Sequence, residues 1–148
     1  MGCEMKADYY NNIYCSKGNH LKHYKYVPHY PVLQVAFGML SDIDDPQILE
    51  LGCGTGQFAQ MLWDRGLKCY KGIDFSALAI EIAKRKSPQA FEVGNVFDAN
   101  YEGFNTVVVM EVLEHIEDDL QLIGCIPEGM NIIFSVPNFI DPSHVRVS

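Results

Sequence analysis

The chain has 148 residues, of which 48% are hydrophobic, and a formal net charge of −8. Its length corresponds to one domain, and no apolar run approaches the roughly 18 residues that a membrane-spanning helix requires. Because an acidic surface repels phosphate backbones, we expect nucleic acid not to be a partner.

The cysteines and the first residues of the chain bear on its cellular location. The five cysteines are dispersed, without a C-x-x-C motif or a Cys/His spacing suited to zinc. Such a set is typical of a reducing compartment rather than of a disulfide framework. The N-terminal stretch MGCEMKADYY has no apolar segment of a secretory signal, and Lys6 stands where a myristoylation signal has serine or threonine. These features favour a cytoplasmic protein.

Residues 1–40 differ in composition from the rest of the chain, because they hold six of the eight tyrosines and three of the five histidines. The patterns ADYYNNIYCS and PVLQVAFGML predict short helices with apolar faces. Tyr10 and Tyr14 are four residues apart and would share a helix face. We therefore expect residues 1–40 to form a helical cap or lid, and residues 41–148 to form the core of a single domain.

From Pro46 onward, short apolar runs alternate with helical patterns. In chain order, the predicted strands are QILEL, CYKGID, AFEV, NTVVVM and NIIFSV, and the predicted helices are GQFAQMLWDRG, SALAIEIAKRKSP and DDLQLIGCI. Gly66 is suited to end the first of these helices, and Ser76 to cap the start of the second. The basic residues at 84–86 suit the negative end of the helix dipole.

This alternation predicts βαβ units and an α/β fold with a doubly wound, mostly parallel sheet. In such sheets, ligands bind beyond the carboxyl ends of the strands, near the point where the strand order reverses. The polar and glycine-rich motifs of this chain all follow predicted strands, so we expect them to meet at that edge of the sheet.

The glycine loop after the first strand reads Gly52-Cys53-Gly54-Thr55-Gly56. The dinucleotide fingerprint G-x-G-x-x-G requires a third glycine where this chain has Gln57, and the phosphate-binding pattern G-K-[ST] requires a lysine that the loop lacks. Glu50, two residues before the loop, would repel a pyrophosphate and attract a cation. The loop therefore favours a positively charged ligand, such as the sulfonium and ammonium groups of S-adenosylmethionine.

Asp74 ends the second predicted strand, 22 residues after Gly52. An acid at this place can accept hydrogen bonds from both hydroxyls of a ribose, a feature that fits NAD as well as an adenosyl cofactor. Phe75 follows directly and could pack against adenine.

Five features in order resemble those of the class I S-adenosylmethionine-dependent methyltransferases, and particularly the branch of ubiquinone-pathway O-methyltransferases. The pattern Glu50-x-Gly52-x-Gly54-x-Gly56 is similar to their first motif, and Asp74 matches the acid that closes their second strand. VGNVFD, FNTVVVMEVLEHIEDD and IIFSVPNF resemble the segments of their third, fourth and fifth strands. Where the family usually has Gly-Asp, this chain has Gly94-Asn95, whose amide can still accept a hydrogen bond from the adenine amino group.

The resemblance implies a methyltransferase that uses S-adenosylmethionine, releases S-adenosylhomocysteine and methylates a small molecule. It implies that Glu50 orders the methionine end of the cofactor, that the glycines allow close backbone approach, and that Asp74 holds the ribose. The cofactor-binding residues expected on this basis are Glu50, Gly52, Cys53, Gly54, Gly56, Asp74, Phe75, Asn95, Val96, Glu111 and Tyr14, the last from the cap. The alternative is a catalytically inactive module that binds the cofactor or activates a partner enzyme.

The acidic stretch MEVLEHIEDD after the fourth strand allows three interpretations. Its first residues, including Glu111, could merely line the cofactor pocket, or His115 could be a general base that deprotonates an acceptor. Glu111-x-x-Glu114-His115 is also similar to a metal site of some small-RNA 2′-O-methyltransferases, with His144 as a further ligand. The site residues that we select contain His115 as the catalytic candidate and no metal ligand.

The chain ends 13 residues after Ser135, whereas the resembling fold has two further strands. We therefore expect a sheet that lacks the last two strands and whose fifth strand is an open edge. An open edge favours association, so we expect either a homodimer across that edge or a C-terminal tail that covers it.

Overall fold

The computed structural model describes residues 7–15 and 18–138, which form one five-stranded sheet with helices on both faces. The strands are β1 (Ile48–Leu51), β2 (Tyr70–Asp74), β3 (Ala90–Val93), β4 (Thr106–Met110) and β5 (Asn131–Ser135). The helices are α1 (Ala7–Cys15), α2 (Tyr30–Leu40), α3 (Gln57–Asp64), α4 (Ala77–Lys86) and α5 (Asp119–Cys125), and single 3₁₀ turns cover 19–21, 24–26, 96–98 and 113–115.

The strand order is β3-β2-β1-β4-β5, and every neighbouring pair is parallel. This confirms the predicted doubly wound α/β sheet. The order reverses between β1 and β4, so the crevice that binds ligands in such folds opens at the carboxyl ends of these two strands. The glycine loop and the acidic stretch both start there.

The pleat of the sheet separates two apolar layers. Ile48, Val108 and Ile133 pack with residues of α2, α3 and α4 on one face. Leu49, Val107 and neighbours from the same strands pack with α5 on the other face. The five predicted strands and three predicted core helices therefore lie where the sequence patterns placed them, and the N-terminal helices are present as α1 and α2.

Two predicted helix boundaries are confirmed by their hydrogen bonds. The hydroxyl of Ser76 accepts from the amide of Ala79 at 3.1 Å, which caps α4. Gly66 follows α3 with a φ of +87°, and its amide donates to Trp63 at 3.0 Å. A left-handed residue at this place ends a helix at low cost only when it is glycine.

Strand β5 is an edge of the sheet within the described residues. Ile132, Phe134 and Val136 are 42%, 59% and 52% exposed. The tail that we expected to cover this edge includes residues 139–148, which lie outside the described residues. Across the described ranges, no helix is both long and apolar enough to cross a membrane.

Candidate functional site

A cleft of about 460 Å³ opens at the carboxyl ends of β1 and β4, at the predicted switch in strand order. Its floor is the end of β1 with the glycine loop, one wall is the start of the segment after β4, and the opposite side is formed by the N-terminal helices and turns. The lining residues are Tyr9, Tyr10, Ile13, Tyr14, His20, His29, Val32, Leu33, Glu50, Gly52, Cys53, Gly54, Thr55, Gln57, Phe58, Met110, Glu111 and His115.

The glycine loop exposes bare backbone to this cleft, and its glycines are required by geometry. Gly52 has a φ of +76°, and a Cβ atom there would lie 2.4 Å from a methyl group of Val112. Gly56 has a φ of +73°, and its Cβ would lie 2.8 Å from that of Ala83 on α4. The turn therefore needs both the conformational freedom of glycine and its lack of a side chain.

Glu50 lies on the floor of the cleft and is only 3% exposed. Its Oε2 accepts a hydrogen bond from the hydroxyl of Tyr70, which is buried behind it. Burial raises the pKa of Glu50 to about 8, although the hydrogen bond from Tyr70 acts in the opposite direction. A buried carboxylate in this setting is stabilised by any cation that enters the cleft.

Asp74 braces the glycine loop from the end of β2. Its Oδ2 accepts from the amide of Gly54, and its Oδ1 accepts from the amide of Ser76, both at 2.9 Å. The carboxylate is 3% exposed, and burial raises its pKa against the effect of these two hydrogen bonds. Asp74 is not part of the cleft lining but is adjacent to it through Gly54.

The residues expected at the adenine lie beside the cleft rather than in it. Phe75 is 42% exposed, and its ring meets that of Tyr10 edge to face, with 5.4 Å between the ring centroids. Asn95 uses its side-chain oxygen to accept from the amide of Phe97 at 3.1 Å. Val96 packs against the apolar layer that contains α5.

Glu111 combines an unusual backbone conformation with a fixed carboxylate at the wall of the cleft. Its φ is +54°, in the left-handed region that non-glycine residues rarely adopt. Its Oε1 accepts from the hydroxyl of Ser135 at 2.7 Å. Strained residues of this kind concentrate at functional sites.

His115 lines the cleft, with its Nε2 3.5 Å from an oxygen of Glu114 and its ring 5.8 Å from that of Tyr10. Within residues 7–15 and 18–138, no three His, Cys, Asp or Glu side chains converge as metal ligands. The further ligand considered from the sequence, His144, lies outside the described residues.

The N-terminal region contributes more to the cleft than the sequence indicated. Tyr14 lies over the glycine loop, where a Cβ atom on Gly54 would be 3.7 Å from its hydroxyl, and burial raises its pKa. His20 and His29 also line the cleft, and burial lowers the pKa of both imidazoles. Neither histidine was selected from the sequence. Their only signal was the excess of histidine in residues 1–40.

Three polar side chains fasten this region to the core, and we call Thr55, Gln57 and Lys86 the cap anchor. Thr55 donates from its hydroxyl to the carbonyl of His20 at 2.7 Å, and Gln57 donates to those of Asn19 and Lys22 at 2.8 and 3.2 Å. The Lys86 ammonium donates to the same His20 carbonyl and to the hydroxyl of Thr55. Gln57, which excluded the dinucleotide fingerprint, therefore has a structural partner in the N-terminal region.

Comparisons with known proteins agree with this geometry. Residues 48–126, more than half of the chain, match the family described as "Methyltransferase domain". Over 125 residues the chain is 29% identical to the ubiquinone biosynthesis O-methyltransferase of Neisseria meningitidis serogroup C, a match that covers 72% of this chain and 50% of that protein. The chain thus spans about half the length of the curated relatives it matches.

Two solved structures share the fold at 20% identity. Magnesium protoporphyrin IX methyltransferase from Synechocystis PCC 6803, crystallised with bound S-adenosylmethionine, gives a TM-score of 0.62 over 72% of this chain and 57% of that chain. An S-adenosylmethionine-dependent methyltransferase from Mesorhizobium loti gives 0.63 over 76% and 54%. These likenesses agree with the parallel sheet and with the glycine cleft at its switch point. The family match over residues 48–126 confirms the resemblance inferred from the sequence motifs: the chain belongs to the family of class I methyltransferase domains.

Proposed function

We propose that the chain binds S-adenosylmethionine in the cleft and transfers its methyl group to a small-molecule acceptor. The observation that carries this proposal is the pairing of a bare glycine loop with the buried carboxylate of Glu50 on the cleft floor. A phosphate ligand would meet that carboxylate unfavourably, whereas an ammonium group would stabilise it.

The residues present fit the cofactor at its methionine end. Only Tyr70 hydrogen-bonds to Glu50 among the described residues, and it does so through Oε2, which leaves Oε1 for a ligand. The glycine loop admits close backbone approach, and Glu111 offers a second carboxylate at the wall. When bound, S-adenosylmethionine supplies an electrophilic methyl group.

The ribose and adenine would lie toward Asp74, Phe75, Asn95 and Val96. Asp74 already holds the loop, and we infer that its oxygens accept from the ribose hydroxyls in addition to the two amides. Phe75 has an exposed ring that can pack against adenine. Because Tyr10 covers part of that ring, we infer that residues 1–40 act as a cap that shifts when the adenosine enters.

We assign the methyl acceptor to the part of the cleft lined by aromatic side chains. Three imidazoles, from His20, His29 and His115, also line the cleft. A methyl transfer to a hydroxyl requires the loss of its proton, and a neutral imidazole near the acceptor can take it. We retain His115 as the base candidate. The names of the curated relatives, which are O-methyltransferases, together with this lining support a hydroxyl on a flat ring as the acceptor.

The test is calorimetric titration of the purified chain with S-adenosylmethionine and S-adenosylhomocysteine, with NAD as the control ligand. We expect binding of both adenosyl compounds, much weaker binding in Asp74→Ala, and none of NAD. Radiolabelled methyl transfer to a panel of aromatic hydroxyl compounds then separates an enzyme from an inactive cofactor-binding module. Binding of NAD alone would overturn the proposal.

We further propose a cytoplasmic homodimer that does not bind nucleic acid. The dispersed cysteines, all free thiols at the four described positions, support a reducing compartment. The net charge of −8 argues against phosphate backbones. The exposed apolar side chains of β5 support association at that edge.

A further inference from the structure

Tyr70 lies along the sheet face rather than standing out from it. It pairs with Ile48 in register, while Glu50 pairs with Gly72, so the four residues share one face of the sheet. A Cβ atom on Gly72 would lie 2.6 Å from the Tyr70 hydroxyl. The missing side chain of Gly72 is therefore what lets the phenol pass along β2 and reach the carboxylate of Glu50.

The phenol itself is held firmly. Tyr70 is 5% exposed, and its ring packs against that of Phe91 with 6.0 Å between centroids. Burial raises the pKa of Tyr70 well above its usual value, so the hydroxyl keeps its proton and remains a donor throughout the neutral and mildly alkaline range. Its partner Oε2 is thereby fixed, which also fixes the direction of Oε1.

The other titratable groups around Glu50 do not supply a positive charge at close range. Cys53 and Asp74 interact electrostatically with Glu50 but carry no positive charge, and like charge on Asp74 disfavours ionisation of Glu50. The remaining ionisable side chains that line the cleft are Tyr9, Tyr10, Tyr14, His20, His29, Glu111 and His115. Donation from Tyr70 is thus the contact within the described part of the chain that favours the charged form of Glu50.

We propose that Tyr70 is a positioning residue for cofactor binding: its hydroxyl favours the ionised form of Glu50 and aims the carboxylate at the ammonium group of the ligand. The inference rests on the proposed function, because it assumes a cationic ligand in the cleft. It assigns a role to a residue that belongs to none of the recognised motifs.

The test compares Tyr70→Phe with the wild-type chain in titrations with S-adenosylhomocysteine from pH 6 to pH 9.5. Phenylalanine keeps the ring and its packing but removes the donor. We expect the affinity of the variant at pH 7.5 to fall about tenfold, and the pH at which affinity is half-maximal to rise by about one unit. Near pH 9.5 the two proteins should bind more nearly alike, because the carboxylate is then ionised in both.

Glu50→Gln is the reference for this test. Glutamine does not ionise, so any pH dependence of affinity that remains in this variant comes from the ligand itself. In the Glu50→Gln background, Tyr70→Phe should change neither affinity nor pH profile. An unshifted profile in Tyr70→Phe, or the same loss in both backgrounds, would overturn the role of Tyr70 while leaving the proposed function intact. Failure of the folded wild-type chain to bind at every pH would instead overturn the proposed function and this inference together.

Discussion

Ser135 donates from its hydroxyl to Oε1 of Glu111 at 2.7 Å, which joins the ends of β5 and β4 at the wall of the cleft. The two residues also share a backbone hydrogen bond, from the amide of Glu111 to the carbonyl of Ser135 at 3.2 Å. A left-handed conformation costs a non-glycine residue roughly 1 kcal/mol or more, and it persists only where the surroundings impose it. The contact with Ser135 therefore fixes a strained carboxylate where a ligand can meet it.

Glu111→Gly relieves the backbone strain but also removes the hydrogen bond from Ser135, so we expect the free energy of unfolding to change by no more than about 1 kcal/mol. The same change should weaken S-adenosylhomocysteine binding about tenfold by removing a charged partner. Urea unfolding and calorimetric titration measure the two effects. Asp45 is the matched control, since it has a φ of +44° at the opposite end of β1, and Asp45→Gly should leave affinity unchanged. Equal affinity of Glu111→Gly and wild type would contradict a binding role.

Gly52→Ala should destabilise the chain by roughly 2–3 kcal/mol, because the added methyl group collides with Val112 and the positive φ is strained. The second change Val112→Ala should restore the steric part of this loss. Among the described residues, a Cβ atom on Gly38 in α2 would meet nothing within 4 Å beyond its chain neighbours and its own helix backbone. Gly38→Ala should therefore stabilise by about 0.5–1 kcal/mol. Thermal unfolding should therefore rank Gly38→Ala above the wild type in stability and Gly52→Ala below it. A Gly52→Ala variant as stable as the wild type would contradict this prediction.

The cap anchor predicts a local effect on hydrogen exchange. Lys86→Met removes the donor to the His20 carbonyl, so the amides of Leu21 and Lys22 should exchange roughly five- to tenfold faster as their short turn opens more often. Lys84, on the same helix but exposed, provides the control Lys84→Met, which should not change these rates. Equal exchange in both variants would mean that the cap is held by other contacts.

Glu50 makes stability depend on pH. Its pKa of about 8 in the folded chain lies above its ordinary value of 4.5. Between these values the unfolded chain has released a proton that the folded chain still holds, so stability falls as the pH rises through this window and levels off above it. Glu50→Gln should remove this dependence on pH and gain on the order of 4 kcal/mol relative to wild type between pH 4.5 and pH 9. Glu81→Gln is the control, because Glu81 forms an exposed ion pair with Arg85, and it should leave the pH dependence of stability unchanged. An unchanged pH dependence in Glu50→Gln would show that Glu50 is not its source.

The exposed face of β5 gives a prediction for the proposed dimer. Phe134→Lys places a charge among the apolar side chains of this edge and should convert a dimer to a monomer, as measured by light scattering coupled to size exclusion. Val35, 60% exposed on α2, offers the control Val35→Lys, which should leave the mass unchanged. A wild-type chain that runs as a monomer would contradict the dimer.

Much of the fold could be predicted from the sequence because its signals are local. The apolar run TVVVM, the hydroxyl of Ser76 and the glycine at 66 each act within a few residues of themselves, and the structure places strand, cap and helix end accordingly. The glycine loop was also recognisable, since the positive φ angles at positions 52, 54 and 56 favour glycine.

The remaining parts of the site depend on contacts between residues far apart in the chain. Tyr70 reads as an ordinary core residue of a strand, and only the register of β1 and β2 brings its hydroxyl to Glu50. From the sequence, Lys86 is one of the basic residues that stabilise the C-terminal end of α4. In the structure its ammonium instead donates to the carbonyl of His20, 66 residues earlier. His20 and His29 reach the cleft through the path of the N-terminal region, which no local pattern specifies.

The cap anchor has a consequence for sequence variation. Thr55, Gln57 and Lys86 bind main-chain oxygens of residues 19, 20 and 22, and these oxygens are present whatever the side chains are. Replacing His20 therefore alters the surface that faces the cleft without releasing the segment that carries it. The attachment of this segment and the surface that it shows to the cleft therefore depend on different atoms, so the side chain at residue 20 can be exchanged while the floor of the cleft stays as it is.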